Sequence, residues 1–465
     1  MHKRGSGGPL SRRRLIQAGL GTVGAVGAAY LGGATPAAAA PEAPAAAASA
    51  EQRGATAGAL AFLGAMMDAY AQGTTLRLIQ SYADQQGLQS TAFTYDNALA
   101  IIALLRGGEQ ARARLLGDTL LYAQQHDPAG DGRLRQAYFV DQANGPAFLR
   151  LAEAPFYFTG SAVGDLAWAA IALAQLAART RDPRYLNGAL ALGNWIVANT
   201  YDTRGVGGYS FGVDGANQPV RVKSSEHNID VFALFSMLAR LSGDSVWTER
   251  AAHARRFIEA MWNPAGGFFW TGSTDDGATI NTFAIPEDVQ TWSYLALLDD
   301  RYAAALDWAK TNLATTDTPQ TINSRLTGNL RIQGVTFSTL ALRALAPSAS
   351  YDAPPSPNAV WLEGSGQLAA ALLARDLPPR RDQDSFGGDR ATALAQLDQI
   401  RLAQRQLGRD QTVGGRVLAP GQGVVAASSV LNTGYGFSYY PNLHVGATSW
   451  FLIAALGVNP YQLRG

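Results

Sequence analysis

The chain has no cysteine among its 465 residues. That excludes disulfides, a lipid-carrying N-terminal cysteine, a thiol nucleophile and thiolate metal ligands. Charge is sparse, at 16% of residues, and there are five histidines. After residue 40 no apolar run is long enough to span a membrane, so no such helix is expected there. Nucleophile-elbow, P-loop and HExxH patterns are missing, which leaves serine-esterase, nucleotide-hydrolase and zincin chemistry without support. Asp127-Pro128-Ala129-Gly130-Asp131-Gly132 lacks the alternating ligands and terminal glutamate of a calcium loop and reads as a surface turn. Neither a metal nor a cofactor is expected.

What is present begins with a leader. Residues 1–14 are basic and include Ser11-Arg12-Arg13-Arg14-Leu15-Ile16. An Ala/Gly/Leu/Val stretch follows to about Leu31, then Ala34-Thr35-Pro36 and an alanine run to Ala40. A charged start, a moderate apolar middle and a small-residue end read as a cleavable export signal over residues 1–40. The run resembles a twin-arginine signal, with Leu15 in place of the favoured Phe and Gln17 in place of the common Lys. Residues 41–52 are Ala/Pro-rich and are expected to be a disordered linker. Residues 53–465 are read as one domain of an exported protein.

Cleavage changes the charge. The leader holds Lys3, Arg4, Arg12, Arg13 and Arg14 and no acid, so 32 of the 37 basic residues remain beside 36 acids. A mildly acidic mature chain argues against nucleic acid or anionic lipid as partner. No nucleic-acid partner and no membrane contact after cleavage are expected, and the protein is expected to be a monomer.

Two kinds of helix alternate along the mature chain. Ala98–Leu105, Asp230–Leu241, Trp292–Leu298 and Ala447–Leu456 are apolar nearly all round. Ala111/Leu115/Leu116/Leu120, Tyr185/Leu186/Ala189/Leu190, Trp247/Ala251/Ala254/Phe257/Ile258/Met261 and Tyr302/Leu306/Ala309/Leu313 repeat at spacings of three and four. The first kind must be buried on both sides, and the second covers it. Candidate inner helices fall near 96–106, 164–178, 226–241, 287–298, 333–346, 362–375 and 446–456. Gly205-Val206-Gly207-Gly208-Tyr209 and Ala265-Gly266-Gly267-Phe268-Phe269 recur 59 residues apart, the length of one helical hairpin with long loops. Glycine stops each helix, and the aromatics suit short strands at a rim. The fold class expected is all-α, an (α/α)6 toroid with short strands in the loops at one end. An open α-solenoid is the competing arrangement. Even pairing and long aromatic loops favour closure.

Acids stand at the mouths of several inner helices: Asp96, Glu226, Glu287 with Asp288, and Glu363. Together with the paired helices, this resembles the six-hairpin glycosidase superfamily of bacterial carbohydrate enzymes over residues 55–460. The resemblance implies that substrate lies across the end where inner helices begin, that acids there serve as general acid and base, and that the reaction inverts. Fold-level likeness does not fix function, so the site must carry it.

Glycoside hydrolysis needs one protonated and one ionised carboxyl, and burial among aromatics raises a carboxyl's pKa. The catalytic candidates are Glu226, Glu287, Asp96, Asp288 and Glu363. Adjacent acids point in different directions, so at most one of Glu287 and Asp288 is catalytic. Glu226 and Asp230 share a helix face, with His227 and Asn228 as donors to hydroxyls. Tyr95 is placed to orient Asp96. Gln290, Trp292, Trp361 and His444 complete the substrate-binding candidates, with Tyr435 and Trp450 beside His444. Trp168 and Trp270 are further stacking candidates. Each acid has a plainer role as a first-turn residue favoured by the helix dipole, with Ser224 or Ser225 as the cap before Glu226.

The reading that joins these features is an exported glycoside hydrolase of an oligo- or polysaccharide. A polysaccharide lyase would use His227 or a tyrosine, with Arg221 and Lys223 on a uronate. A toroid epimerase would use His227 and His444. A glycan-binding protein would use the cleft without chemistry.

Overall fold

The computed structural model describes residues 49–84, 88, 90–140, 150–151, 159–348, 353–377 and 388–463. The expected export signal at residues 1–40 lies outside them. Helix α1 (Ala50–Met67) begins inside the segment read as a disordered linker. The Ser49 hydroxyl accepts the Gln52 amide and starts the helix, a cap that an Ala/Pro composition does not reveal.

Twelve α-helices follow one another among the described residues. After α1 come α2 (Thr94–Arg106), α3 (Gln110–Gln125), α4 (Val163–Thr180), α5 (Pro183–Thr200), α6 (Ser225–Ser242) and α7 (Val246–Ala260). The rest are α8 (Glu287–Leu297), α9 (Ala304–Asn312), α10 (Leu362–Arg375), α11 (Asp389–Gln406) and α12 (Val445–Ala455). Even-numbered helices pack in the cyclic order α2, α4, α6, α8, α10, α12 and back to α2. Each also packs on an odd-numbered neighbour outside, with α1 covering α12. The toroid is therefore closed.

Burial follows the sequence pattern. Every residue of α12 from Val445 to Ala454 is buried, while α11 buries seven of its eighteen residues. Each large apolar side chain fully withdrawn from water contributes about 1.5–3 kcal/mol, so the all-round apolar helices hold the centre. At the end away from the inner-helix starts, the buried Arg375 guanidinium closes α10 onto its neighbours. It bonds Asp389 at 2.5 and 2.8 Å, Asp307 at 2.9 and 3.1 Å and the Ala303 carbonyl at 2.7 Å.

The expected inner helix near 333–346 does not exist. Ile332–Val335 is a strand paired antiparallel with Ala314–Asp317, followed by turns. Val335 ends that strand buried, and Phe337, Leu340 and Ala341 are buried in the turns after it, which gave the segment its apolar character. Six inner helices remain.

The rim carries a repeated device. The first amide of each inner helix donates to a main-chain carbonyl in the segment leading to the next inner helix. The bonds are Thr94 to Gln136, Val163 to Phe211, Ser225 to Thr271, Glu287 to Phe337, Leu362 to Ala426 and Val445 to Ser81, at 2.9 to 3.0 Å. The last one returns from α12 to the segment before α2, so the six bonds form a ring. They satisfy amides that a helix start otherwise leaves unpaired.

A second device locks five of the mouths. The fourth helical residue bonds back to the carbonyl before its helix and also to an extended segment beside it. Asn97 does so with Phe93 and Ile79, Asn228 with Ser224 and Tyr209, and Gln290 with Pro286 and Phe269. Ser365 joins Trp361 and Val335, and Thr448 joins His444 and Val424.

Candidate active site

Because all six inner helices start at one end, their first turns meet there. Glu226, Asp288 and Glu363 are each the second residue of their helix, on the consecutive members α6, α8 and α10. The same step is Tyr95 on α2, Gly164 on α4 and Gly446 on α12. The three carboxyls thus project from equivalent places on neighbouring walls.

Glu363 is the most tightly held. Its Oε1 accepts the Tyr95 hydroxyl at 2.6 Å and the Gln367 amide at 3.4 Å. The Tyr95 oxygen in turn accepts the Trp450 indole N–H at 2.9 Å. Glu363 Oε2 is buried with no hydrogen-bond partner and stands 3.5 Å from His444 Nδ1. Burial lifts Glu363 to about 7; Asp96 and Asp288 add repulsion, while His444 and the Tyr95 hydrogen bond oppose the rise.

His444 sits between two acids. Its Nδ1 accepts the Ala447 amide at 3.2 Å, capping α12, and its Nε2 lies 3.2 Å from Asp96 Oδ1. Those contacts assign the proton to Nε2, which donates to Asp96. The imidazole stacks on Tyr82 at 4.1 Å with a 4° interplanar angle. Burial alone would lower its pKa; Asp96 and Glu363 override burial and raise it. Gly446 leaves the room for this cluster. A Cβ there would fall 2.7 Å from Asp96 Oδ1, 2.7 Å from the His444 ring and 2.9 Å from Glu363 Oε2.

Across the ring, Glu226 keeps contact with solvent while being densely surrounded by protein. Burial pushes its pKa well above the ordinary carboxylate value, and the charges of Asp288, Asp230, Asp165 and Glu363 add to the rise. Asp288 is 5% exposed and burial brings it to about 7, against the amides of Val289 and its own residue. One turn below Glu226, Asp230 is fully buried and accepts the Tyr461 hydroxyl at 2.7 Å. Burial raises its pKa well above the usual range, although the Tyr461 bond opposes the shift. Trp168, Trp292, Trp450 and Tyr461 pack with ring centroids 5.0 to 6.2 Å apart. They form an aromatic floor beneath the acids.

The structure therefore gathers Asp96, Glu226, Asp230, Asp288, Glu363, Tyr95 and His444 at one end. Glu287 belongs to the same turn but is the first residue of α8, wholly buried, with Oε1 lacking a partner. His227 is 7% exposed and tilts onto Phe211 at 4.5 Å.

Four expectations need correction. Asn228 and Gln290 are not substrate donors, because their amides are fully used in locking main chain. Trp292 and Trp361 are each 2% exposed and serve as floor and wall, with no face open to a ligand. Trp168 and Trp450 are likewise core, whereas Trp270 is half-buried. Tyr95 orients Glu363, not the adjacent Asp96.

Sequence reading passed over Asp165, in the first turn of α4, which sits close enough to raise Glu226 and Asp230. It lies inside an apolar run and is the third residue of its helix, one step after the position of Glu226, Asp288 and Glu363. Tyr439 and Tyr461 were also missed, being far in sequence from the acids they approach, as was Tyr82, which lies outside the helix that carries Asp96. Among the described residues, no ion pair joins Lys or Arg to Asp96, Glu226, Asp230, Glu287, Asp288 or Glu363. Lys223 is consumed elsewhere, by the Arg204 and Gly207 carbonyls at 2.7 and 2.9 Å and by Asp202 at 3.3 Å. The turn at residues 127–132 is held by ion pairs, Asp127 to Arg135 and Asp131 to Arg133, each at 2.6 Å.

No protein-family model matches the chain, and no curated protein matches its sequence. Solved structures do. A glycosidase is 14% identical with a TM-score of 0.54, the match covering 88% of this chain and 98% of that one. A variant described under the same name was solved in complex with glucose. The GH76 alpha-mannanase of Bacteroides thetaiotaomicron is 12% identical, TM-score 0.51, covering 87% of this chain and 95% of that one. D-mannose isomerase is 10% identical, TM-score 0.57, covering 89% and 98%. Identities this low establish architecture alone: the chain shares with these enzymes the (α/α)6 toroid.

Proposed function

We propose that the protein is an exported glycoside hydrolase acting on neutral glycans, with Glu226 as general acid and Glu363 as general base. The observation that carries this is the common step of Glu226, Asp288 and Glu363 on three consecutive inner helices. It sets two carboxyls of different character on either side of a third. Glu226 reaches solvent and has its proton held by burial and by the Asp288 charge. Glu363 has one oxygen fixed by Tyr95, which favours the ionised form, and a second oxygen without a partner. Glu226 gives its proton to the glycosidic oxygen as the bond to the anomeric carbon breaks. Glu363 takes a proton from the water whose oxygen attacks that carbon.

Inversion suits this pair. It straddles α8, and inverting enzymes need room for water between carboxyls about 6.5–9.5 Å apart, whereas retaining ones hold them at about 5–5.5 Å. Neutral substrates fit the many acids and, among the described residues, the lack of Lys or Arg ion pairs to them, since a uronate would meet like charge. The same point weakens a lyase, because Lys223 is buried in other bonds. The glycosidase and mannanase neighbours support hydrolysis.

One observation favours a second reading. His227 lies in the first turn of α6 and His444 caps α12, on opposite sides of the ring, and the neighbours include a D-mannose isomerase. Against it, both nitrogens of His444 are already engaged.

The test is a panel of neutral glycans assayed for new reducing ends with wild type, Glu226→Gln and Glu363→Gln. Each variant is expected to lose about 10²–10⁴-fold in kcat, with the product anomer of the wild type inverted by NMR. Undiminished hydrolysis in both variants refutes the assignment. Deuterium uptake from heavy water into a free aldose, without hydrolysis, would establish the isomerase.

A further inference from the structure

Residues 433–437 form a short strap that leaves the mouth of α10 and ends at the mouth of α6. At its base, Thr433 is tied to Phe437 by N–H to carbonyl at 3.1 Å and by hydroxyl to carbonyl at 2.8 Å. Gly434 and Gly436, at φ +83° and +85°, make the reversal on either side of Tyr435. The Ser338 hydroxyl holds the Thr433 carbonyl at 2.7 Å, and Ser338 itself bridges to Pro286, the residue before α8. Tyr435 then packs edge-on to Phe337 at 5.8 Å and donates its hydroxyl to Thr271 Oγ1 at 3.1 Å. Thr271 is the residue whose carbonyl caps the first amide of α6.

The strap therefore crosses the start of α8, between the walls that carry Glu363 and Glu226. The charges of Asp288 and Glu226 are both felt at the Tyr435 hydroxyl, as expected for a phenol lying over the gap. Behind it stands a continuous aromatic wall. Tyr439 stacks on Trp361 at 5.7 Å and 24°, and Phe337 contacts Trp361, Tyr435, Phe437 and Tyr439. A glycan running through the acids toward α8 would have to pass through Tyr435.

We propose that this strap makes the cleft blind on its α8 side, so that the protein accepts the end of a neutral glycan chain and releases it exo-wise. This rests on the glycan reading of the site given above. Tyr435 is then the residue against which the terminal sugar stops.

Two measurements separate the outcomes. The first uses Glu226→Gln in calorimetry with a neutral oligosaccharide whose ends are free and with the same chain carrying bulky groups at both ends. Blocking is expected to weaken binding at least about tenfold, or about 1.4 kcal/mol. In Glu226→Gln combined with Tyr435→Ala, that difference is expected to shrink. Equal binding of free and blocked chains overturns the strap proposal, whether or not the wild type hydrolyses anything. The second follows wild-type digestion of a labelled oligosaccharide ladder. Products of one small size from the earliest time support exo action, and internal fragments at that time overturn it. Binding of free chain ends with no cleavage of any glycan refutes the hydrolase while leaving the blind cleft supported.

Discussion

Tyr95 and Glu363 meet across the barrel at 2.6 Å, each from the second position of its own helix. They lie 268 residues apart in sequence, and α12 stands between their helices in the ring. The bond fixes one oxygen of Glu363, while the other is left without a hydrogen-bond partner. Its geometry also makes the first prediction.

Tyr95→Phe removes a donor to the ionised carboxylate and leaves the ring in place. The Glu363 pKa then rises above about 7, so the base is ionised only at higher pH. The acid limb of the kcat profile is expected to move to higher pH, with kcat near neutrality falling about 10–10²-fold. A pH–rate profile of the variant checks this; an unmoved acid limb would remove Tyr95 from any role in setting Glu363.

Gly446→Ala should behave against propensity. In an exposed helix interior alanine is favoured over glycine by about 1 kcal/mol. Here the new methyl would press on Asp96, His444 and Glu363 at 2.7 to 2.9 Å. Activity is expected to fall more than tenfold, about 1.4 kcal/mol in the barrier, together with a lower melting temperature. A variant as active as wild type would show that the cluster can yield without consequence.

The buried acids predict how stability depends on pH. Glu226, Asp230, Glu287, Asp288 and Glu363 all have folded pKa values above the ordinary range, Asp288 and Glu363 at about 7. The unfolded chain loses those protons near pH 4. Between about pH 4 and 7 the folded state therefore holds more protons, and stability falls as pH rises. Melting temperatures measured across this window are expected to be higher at pH 5 than at pH 7.5. Glu287→Gln, which removes one such proton site, should flatten the slope; a steeper slope would be inconsistent with the burial of Glu287.

Asn228→Ala distinguishes scaffold from site. Each buried main-chain group left without its partner costs about 1–3 kcal/mol, so thermal unfolding should shift down clearly. KM of the folded fraction is expected to stay within about twofold of wild type, since no amide atom of Asn228 faces the cleft. A large KM change at unchanged melting temperature would restore Asn228 to the binding residues.

Much of this architecture was legible in the chain. Apolar stretches such as Ala98–Leu105 and Ala447–Leu456 are inner helices because nothing on them tolerates water. The acids at their mouths do converge. The apolar residues near Phe337 misled because burial under a rim loop leaves the same composition as burial in a helix. Adjacent Glu287 and Asp288 could not be ranked until the helix start was known; only then does Asp288 fall in step with Glu226 and Glu363. Asn228 and Gln290 look like ligand donors in sequence because half of each lock, the strand beside them, is far away in the chain.

The ring of six main-chain bonds at the rim has a consequence for the side chains at the helix mouths. Phe93, Ala162, Pro286 and Trp361 precede inner helices without offering any side-chain cap, because a neighbour's carbonyl already holds the first amide. Folding information at the mouths thus resides in backbone, and the side chains there are released from it. Replacing an acid by a histidine or a tyrosine at the second step of a helix is therefore expected to leave these main-chain bonds in place. A tyrosine, a glycine and an acid already occupy that second step on different inner helices of this one barrel, so the residue there answers to the chemistry of the site and not to the folding of the helix.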